Sequence, residues 1–293
     1  QVRAVANERR RASQPASRLS PPFATSSIDP PIGSGADSRA MSGAIGSHRE
    51  GHVLSLVFDR PDKRNAFTVD MYRDLAAALD DAGEDAGVRA VLLRGAGGAF
   101  TSGNDVGDFL RDPPQSADHP VMRFLHRLAG FEKPVVAAVE GPAVGIGTTL
   151  LLHCDLVLAA ADARFRMPFV PMGLVPEGGS SLLLPRLVGP QRAAELLLLG
   201  EVFDAVRAAD LGLVNEVLED GARLIARAEE RAAQLAALPP EAVRQAKALL
   251  RGASADEVHR TLDAEAAVFA RRLTSAEARE AMTAFMDRRA RRS

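Results

Sequence analysis

The chain has one cysteine in 293 residues, no tryptophan, one tyrosine and aromatics at only 4%. A single thiol, Cys154, has no partner for an intrachain disulfide and cannot build a Cys-based metal cluster. It reads as a small core residue in a reducing compartment. The expected place is the cytoplasm, or an organellar matrix if the Arg-rich, acid-poor first forty residues act as a transit peptide. Net charge is also scarce: 36 Lys and Arg against 38 Asp and Glu leave a formal −2. With no basic surplus and no basic stripe interleaved with aromatics, nothing points to nucleic acid or an anionic membrane surface as a partner. No apolar run reaches membrane-spanning length. The best candidate, 135–152, is interrupted by Glu140, Pro142 and three glycines. The histidines (His48, His52, His119, His126, His153 and His259) lack metal-ligand spacing, and no Ser/His/Asp set with a nucleophile-elbow signature occurs.

The remaining composition, 46% hydrophobic and 25% charged, is ordinary for a globular chain. Three stretches differ in texture. Residues 1–45 are rich in Pro, Ser, Ala and Arg with little periodicity and read as a disordered extension ahead of a start near Met41. Residues 46–220 alternate short apolar strands with helices, which argues for an α/β core with parallel pairing. Strands are expected at 52–58, 90–93, 135–139, 156–160 and 213–217. Helices are expected after Thr68, around Met122, Leu125 and Leu128, and at 191–199 before Gly200. Residues 221–293 read as four amphipathic helices, at 221–237, 241–251, 255–272 and 275–290. Their apolar faces need a partner, on the core or on another subunit.

Two glycine-bearing turns stand out. One is Phe100-Thr101-Ser102-Gly103-Asn104-Asp105 and the other is Gly141-Pro142-Ala143-Val144-Gly145-Ile146-Gly147-Thr148-Thr149. Each follows an apolar strand and leads toward a helix. Such turns present backbone N–H groups where the helix dipole favours negative charge. Two donors aimed at one point would hold an oxyanion, so the expected activity is on a carbonyl compound.

Five motifs occur in order: Arg60-Pro61-Asp62-Lys63-Arg64-Asn65-Ala66-Phe67, Ala99 to Asp105, Lys133 to Gly145, Cys154-Asp155-Leu156-Val157, and the tail Thr274 to Phe285. Together, over about residues 50–290, the chain resembles the crotonase, or enoyl-CoA hydratase/isomerase, superfamily. The resemblance implies a crotonase spiral of ββα units with a C-terminal helical trimerisation region. It implies an acyl-CoA thioester substrate, with CoA as part of the substrate and no separate cofactor. It also implies a homotrimer or dimer of trimers. Carried over by position, the oxyanion donors are the N–H groups of Asn104 and Ile146. Contacts to substrate or CoA fall on Lys63, Arg64, Ala66, Ser102, Gly103, Asn104, Asp105 and Gly145. Lys63 and Arg64 suit a phosphate, and read alone they are equally a solvated surface pair.

The acid–base residues choose the reaction. Hydratases of the family use two carboxylates, and at those positions this chain has Thr149 and Phe169. Neither side chain can serve as a base near neutral pH. A carboxylate appears instead in Val175-Pro176-Glu177-Gly178-Gly179-Ser180-Ser181. That segment looks like the single base of the peroxisomal-type Δ3,Δ2-enoyl-CoA isomerases. Read alone, Glu177 is equally a helix-start carboxylate satisfying free N–H groups. The rival readings are a hydratase, lyase or thioesterase using Asp70, Asp108 or Glu140, and a CoA- or RNA-binding scaffold without activity. Asp105 also reads as a helix cap, His153 as a satisfied core histidine, and Asp155 as structural.

Overall fold

A computed structural model describes residues 43–114, 116 and 118–290. The extension expected over 1–45 therefore lies outside the described residues except for its last three. The first strand, β1 (Ile45–Glu50), already begins there. It pairs antiparallel with β2 (Val53–Phe58), and His48, Arg49 and Glu50 on it are exposed. Periodicity missed β1 because an edge strand with four exposed residues carries no apolar alternation.

From β2 onward the pairing in the large sheet is parallel. The large sheet runs β1-β2-β3-β4-β6-β9, with β3 (Ala90–Gly95), β4 (Val135–Val139), β6 (Leu156–Ala160) and β9 (Glu216–Leu218). A second, smaller sheet joins β5 (Pro142–Val144), β7 (Arg164–Arg166) and β8 (Phe203–Asp204), and in it β7 and β8 pair antiparallel. Thr101 extends it by a bridge to Ala143. Successive passes therefore repeat one plan: a long strand, a short strand in the second layer, then a helix. This is the α/β spiral of ββα units that the resemblance implied. The helices in the first part are α1 (Val69–Glu84), α2 (Val106–Arg111), α3 (Pro120–Ala129), α4 (Ile146–Thr149), α5 (Ser180–Val188), α6 (Pro190–Ala194) and α7 (Ala205–Asp210). Thr68 caps α1, accepting the N–H of Met71.

Two expected elements differ. The 191–199 helix divides into α6 and a wider π-type turn, closed by Gly200. The last strand starts at Glu216 rather than residue 213. Leu213 and Val214 instead donate to Ala208 in a buried turn, and Asn215 accepts the N–H of Val157.

The sheet alternation sorts the core. Val91 and Leu93 face the large core with Phe58, Phe100 and Tyr72, while Ala90 and Leu92 face the other way with Val136, Ala138 and Leu158. That second face is covered by α8 (Gly221–Ala237), whose buried residues are Leu224, Ala228, Ala232 and Ala236. Spaced by four, they form one stripe, and the three alanines let the helix lie close on the sheet. Burying Leu224 alone contributes about 2 kcal/mol. The remaining helices are α9 (Pro240–Gly252), α10 (Ala255–Leu273) and α11 (Ala276–Ala290). Lys247 and Arg251 of α9 clamp Asp155 at 2.7 Å each, and Asp155 also accepts the N–H of Val135. Asp155 is structural, as expected.

Candidate active site

The first glycine turn is held by a buried polar clamp. Arg64 and Asn65 both adopt left-handed backbone (φ 50° and 55°). This turns the Asn65 side chain inward, where it donates to Ala96 and Ala99 carbonyls at 2.9 and 2.6 Å and accepts from Arg60 N–H. Thr101 Oγ1 donates to the Asn65 carbonyl, and Ser102 N–H to that of Arg64. Phe67 N–H then bonds the Gly103 carbonyl, and Asp105 N–H bonds that of Phe67. In such a parallel bridge the residue between, Asn104, points its own N–H the opposite way. That N–H has no acceptor among the described residues.

The second turn sits against the first. Gly103 has φ 92°, and a Cβ there would stand 2.8 Å from the Val144 carbonyl oxygen. The chain then passes Gly145, whose N–H goes to Arg166, and enters α4 at Ile146. As the first helical residue, Ile146 has an N–H with no intrahelical acceptor. Two open donors, Asn104 and Ile146, thus lie on adjoining turns.

Glu177 belongs to the same neighbourhood. Its Oε1 accepts the Thr149 hydroxyl at 2.6 Å. Gly178 follows with φ 68°, and a Cβ on it would stand 2.8 Å from Thr149 Oγ1 and 3.9 Å from Ile146 Cδ1. The residue keeps some accessible surface while its carboxyl is densely surrounded. Burial pushes the Glu177 carboxyl up to about 8; the Thr149 bond opposes the rise and the nearby Glu265 adds to it. A carboxyl so tuned holds a proton near neutrality and releases it just above, as a general base and acid requires.

The helix-cap reading of Glu177 does not survive. The α5 N–H groups of Gly179 and Ser181 are taken by Glu265, at 2.7 and 2.8 Å. Only the backbone carbonyl of Glu177 meets that turn, accepting Ser180 N–H and Oγ. The sequence reading also missed Tyr72, the one tyrosine. Wedged between Phe67 and Phe124, it donates to Asn104 Oδ1 at 2.5 Å and so steadies the donor turn. Burial, and secondarily the charge of Glu177, pushes its phenol well up. Thr149, read only as a missing carboxylate, orients the base. Phe169 is buried as an apolar wall, its ring 3.8 Å from where a Cβ on Gly145 would stand.

Of the other expected residues, Lys63 and Arg64 are exposed beside the first turn and have no ion-pair partner among the described residues. Ser102 Oγ donates to the Lys63 carbonyl. The Ala66 carbonyl already accepts from Arg60, which leaves it one lone pair. Asp105 has both oxygens occupied: it caps α2 through Asp108 N–H and pairs with Arg60 at 3.0 Å. Its side chain is thus held in a structural role. The rival carboxylates lie elsewhere. Asp70 is exposed and paired with Arg73, and Asp108 accepts Val69 N–H and pairs with Arg111. Glu140 lies near Asp162, Asp220 and Gly221. His153 is buried and bonded to the Gly178 carbonyl at 2.7 Å, and burial pulls it down to about 4. Among the described residues no His/Cys/Asp/Glu cluster suits a metal, and no helix is long and apolar enough to cross a membrane.

A ββα spiral with paired N–H donors on two glycine turns defines the crotonase class of enzymes. The chain belongs to the enoyl-CoA hydratase/isomerase family, whose model matches residues 48–292. It is 36% identical over 250 residues to 1,2-epoxyphenylacetyl-CoA isomerase of Escherichia coli, covering 83% of this chain and 95% of that protein. To enoyl-CoA delta isomerase 2 of Rattus norvegicus it is 35% identical over 262 residues, covering 87% and 66%. Among solved structures, Pseudomonas aeruginosa OdaA superposes with a TM-score of 0.82 at 51% identity, over 84% of this chain and 99% of that one.

Proposed function

We propose that the protein is a Δ3,Δ2-enoyl-CoA isomerase, moving a double bond of an acyl-CoA thioester from C3 to C2 by a 1,3 proton shift. The observation that carries this reading is the setting of Glu177: a carboxyl of raised proton affinity, hydrogen-bonded to the Thr149 hydroxyl, on the turn next to two open N–H donors. Glu177 in its ionised form removes a proton from C2. The electrons move onto the thioester oxygen, and the enolate is held by the Asn104 and Ile146 N–H groups. The carboxyl, now protonated, returns the proton at C4. Each such donor lowers the barrier by about 3–4 kcal/mol. The exposed Lys63 and Arg64 are assigned to the phosphates of CoA. The family resemblance supports assembly as a trimer, which light scattering reads directly.

Hydration needs a second working carboxylate. Glu265 is the carboxylate whose charge acts on Glu177, yet both its oxygens accept backbone N–H groups. The discriminating assay follows 3-hexenoyl-CoA isomerisation beside crotonyl-CoA hydration. Isomerisation with little hydration is expected; fast hydration without isomerisation overturns the reading.

Thr149 supplies a gentler test. Thr149→Val keeps the shape and removes the hydrogen bond that stabilises the Glu177 carboxylate. The Glu177 midpoint is expected to move above about 8. The alkaline rise of kcat/KM should move with it, lowering the rate at pH 7 about threefold to tenfold. An unmoved pH profile would remove Thr149 from the site.

A further inference from the structure

The turn carrying Glu177 is held by a residue far along the chain. Gly179 stands at the N-cap of α5 and has no side chain to satisfy the first N–H groups there. Local Ser, Thr, Asp or Asn caps are the usual solution. Here the cap comes from α10. Glu265, a residue only 7% exposed, accepts Gly179 N–H on one carboxylate oxygen and Ser181 N–H on the other. These are the second and fourth residues after Glu177. The link from the base to the anchored N–H groups begins with Gly178 and Gly179, two consecutive glycines and so a permissive stretch of chain. On the other side the His153 Nε2–H donates to the Gly178 carbonyl.

We propose that Glu265 is a positioning residue: by pinning the N–H groups of Gly179 and Ser181, it fixes the 177–181 turn so that the Glu177 carboxyl meets Thr149 and faces the two open donors. This rests on the isomerase reading for its kinetic consequences, and on geometry alone for its structural ones. It also gives the C-terminal helices a part in the chemistry, since the same α10 face sets Phe269 against Phe109 of α2, the helix that follows the first glycine turn. The anchor's negative charge acts on the base as well. Two carboxylates near one another disfavour double ionisation, so Glu265 raises the proton affinity of Glu177. The other groups facing the pair are Tyr72 of α1, which feels the charge of Glu177, and neutral His153. Lys247 and Arg251 of α9 and His259 of α10 act on His153, and the two cations are already paired with Asp155.

The test uses the full chain labelled with 13C-carboxyl glutamate. The Glu177 signal is assigned by its loss in Glu177→Gln and titrated in Glu265→Gln. A Gln amide keeps one acceptor and no charge. The Glu177 midpoint is expected to fall by about half a unit to one unit. In turnover, kcat should fall roughly tenfold with KM within about twofold, and the pH profile should follow the NMR midpoint. Glu265→Asp keeps the charge and withdraws it by one methylene, so it should retain the midpoint but lose kcat. A midpoint and kcat both unchanged in Glu265→Gln, even with a lowered Tm, overturn the proposal. If that variant does not fold, wild-type kcat in Glu265→Asp overturns it and a loss of kcat at unchanged KM supports it. Because the NMR midpoint needs no turnover, a wild type inactive on 3-enoyl-CoA would defeat the isomerase reading while the anchor is still decided.

Discussion

Glu177→Gln is expected to lower kcat for 3-enoyl-CoA isomerisation by about 10³-fold or more, with KM changed little. The substitution is nearly isosteric, and the Gln carbonyl can still accept the Thr149 hydroxyl, so the turn should keep its shape. What disappears is the carboxyl whose Oε1 meets the Thr149 hydroxyl next to the open N–H groups of Asn104 and Ile146. Tyr72 cannot replace it, because its phenol is buried, committed to Asn104 and pushed far above neutral pH. Thr149 has no basicity in the working range. Near-normal turnover in this variant would sink the catalytic assignment. In the wild type the base must be ionised, so kcat/KM should rise with pH through about 8.

The same substitution has a stability consequence with a definite sign. The folded carboxyl titrates near 8, the unfolded one near its ordinary 4.5. Between those values the native state binds more protons than the unfolded state, so stability falls as pH rises through the window. Below 4.5 the wild type and Glu177→Gln should be equally stable; above 8 the glutamine variant should be more stable. The full shift corresponds to about 5 kcal/mol, and partial solvent access at Glu177 reduces the expected difference to about 2–3 kcal/mol. Urea denaturation at pH 5 and pH 9 reads it. A gain in stability bought with lost turnover is the usual signature of a buried working group.

The residues that the sequence made legible are those whose role is local. Gly103 and Gly145 announce turns, Thr68 caps the helix that follows it, and the continuous apolar runs 90–93 and 135–139 give buried strands. Glu177 came from the family resemblance: Thr149 and Phe169 stand at the hydratase carboxylate positions, and the Glu177-Gly178 segment is similar to the isomerases' single base. The partners of those residues were not legible. Thr149 meets Glu177 across 28 residues, Tyr72 meets Asn104 across 32, and Glu265 reaches Gly179 across 86. No periodicity encodes such separations. A glutamate in an Ala- and Arg-rich amphipathic helix looks like any solvated residue until the helix is folded back on α5. The capping role assigned by type to Glu177 was real, but it belonged to another glutamate.

Gly103→Ala is expected to lower kcat/KM by about 10²–10³-fold, the loss typical of one oxyanion donor. At φ 92° an alanine is strained on backbone grounds alone, and its Cβ would stand 2.8 Å from the Val144 carbonyl oxygen. That oxygen is main chain in β5, tied by Val144 N–H to Thr101, so it cannot swing aside as a side chain would. One turn must move. Moving the first displaces Asn104 N–H, which its bridge to Phe67 otherwise aims; moving the second displaces Ile146 two residues on. The pair is spoiled either way, while Glu177 keeps Thr149 and its elevated midpoint in the 13C titration. Gly98→Ala is the control. It has a similar positive φ of 73° but open space around it. It should cost about 1 kcal/mol of stability and leave turnover intact. If Gly103→Ala behaved like Gly98→Ala, with stability lowered and kcat/KM unchanged, the two glycine turns would be scaffold rather than an oxyanion hole, and the charge that develops on the thioester would have to be met elsewhere.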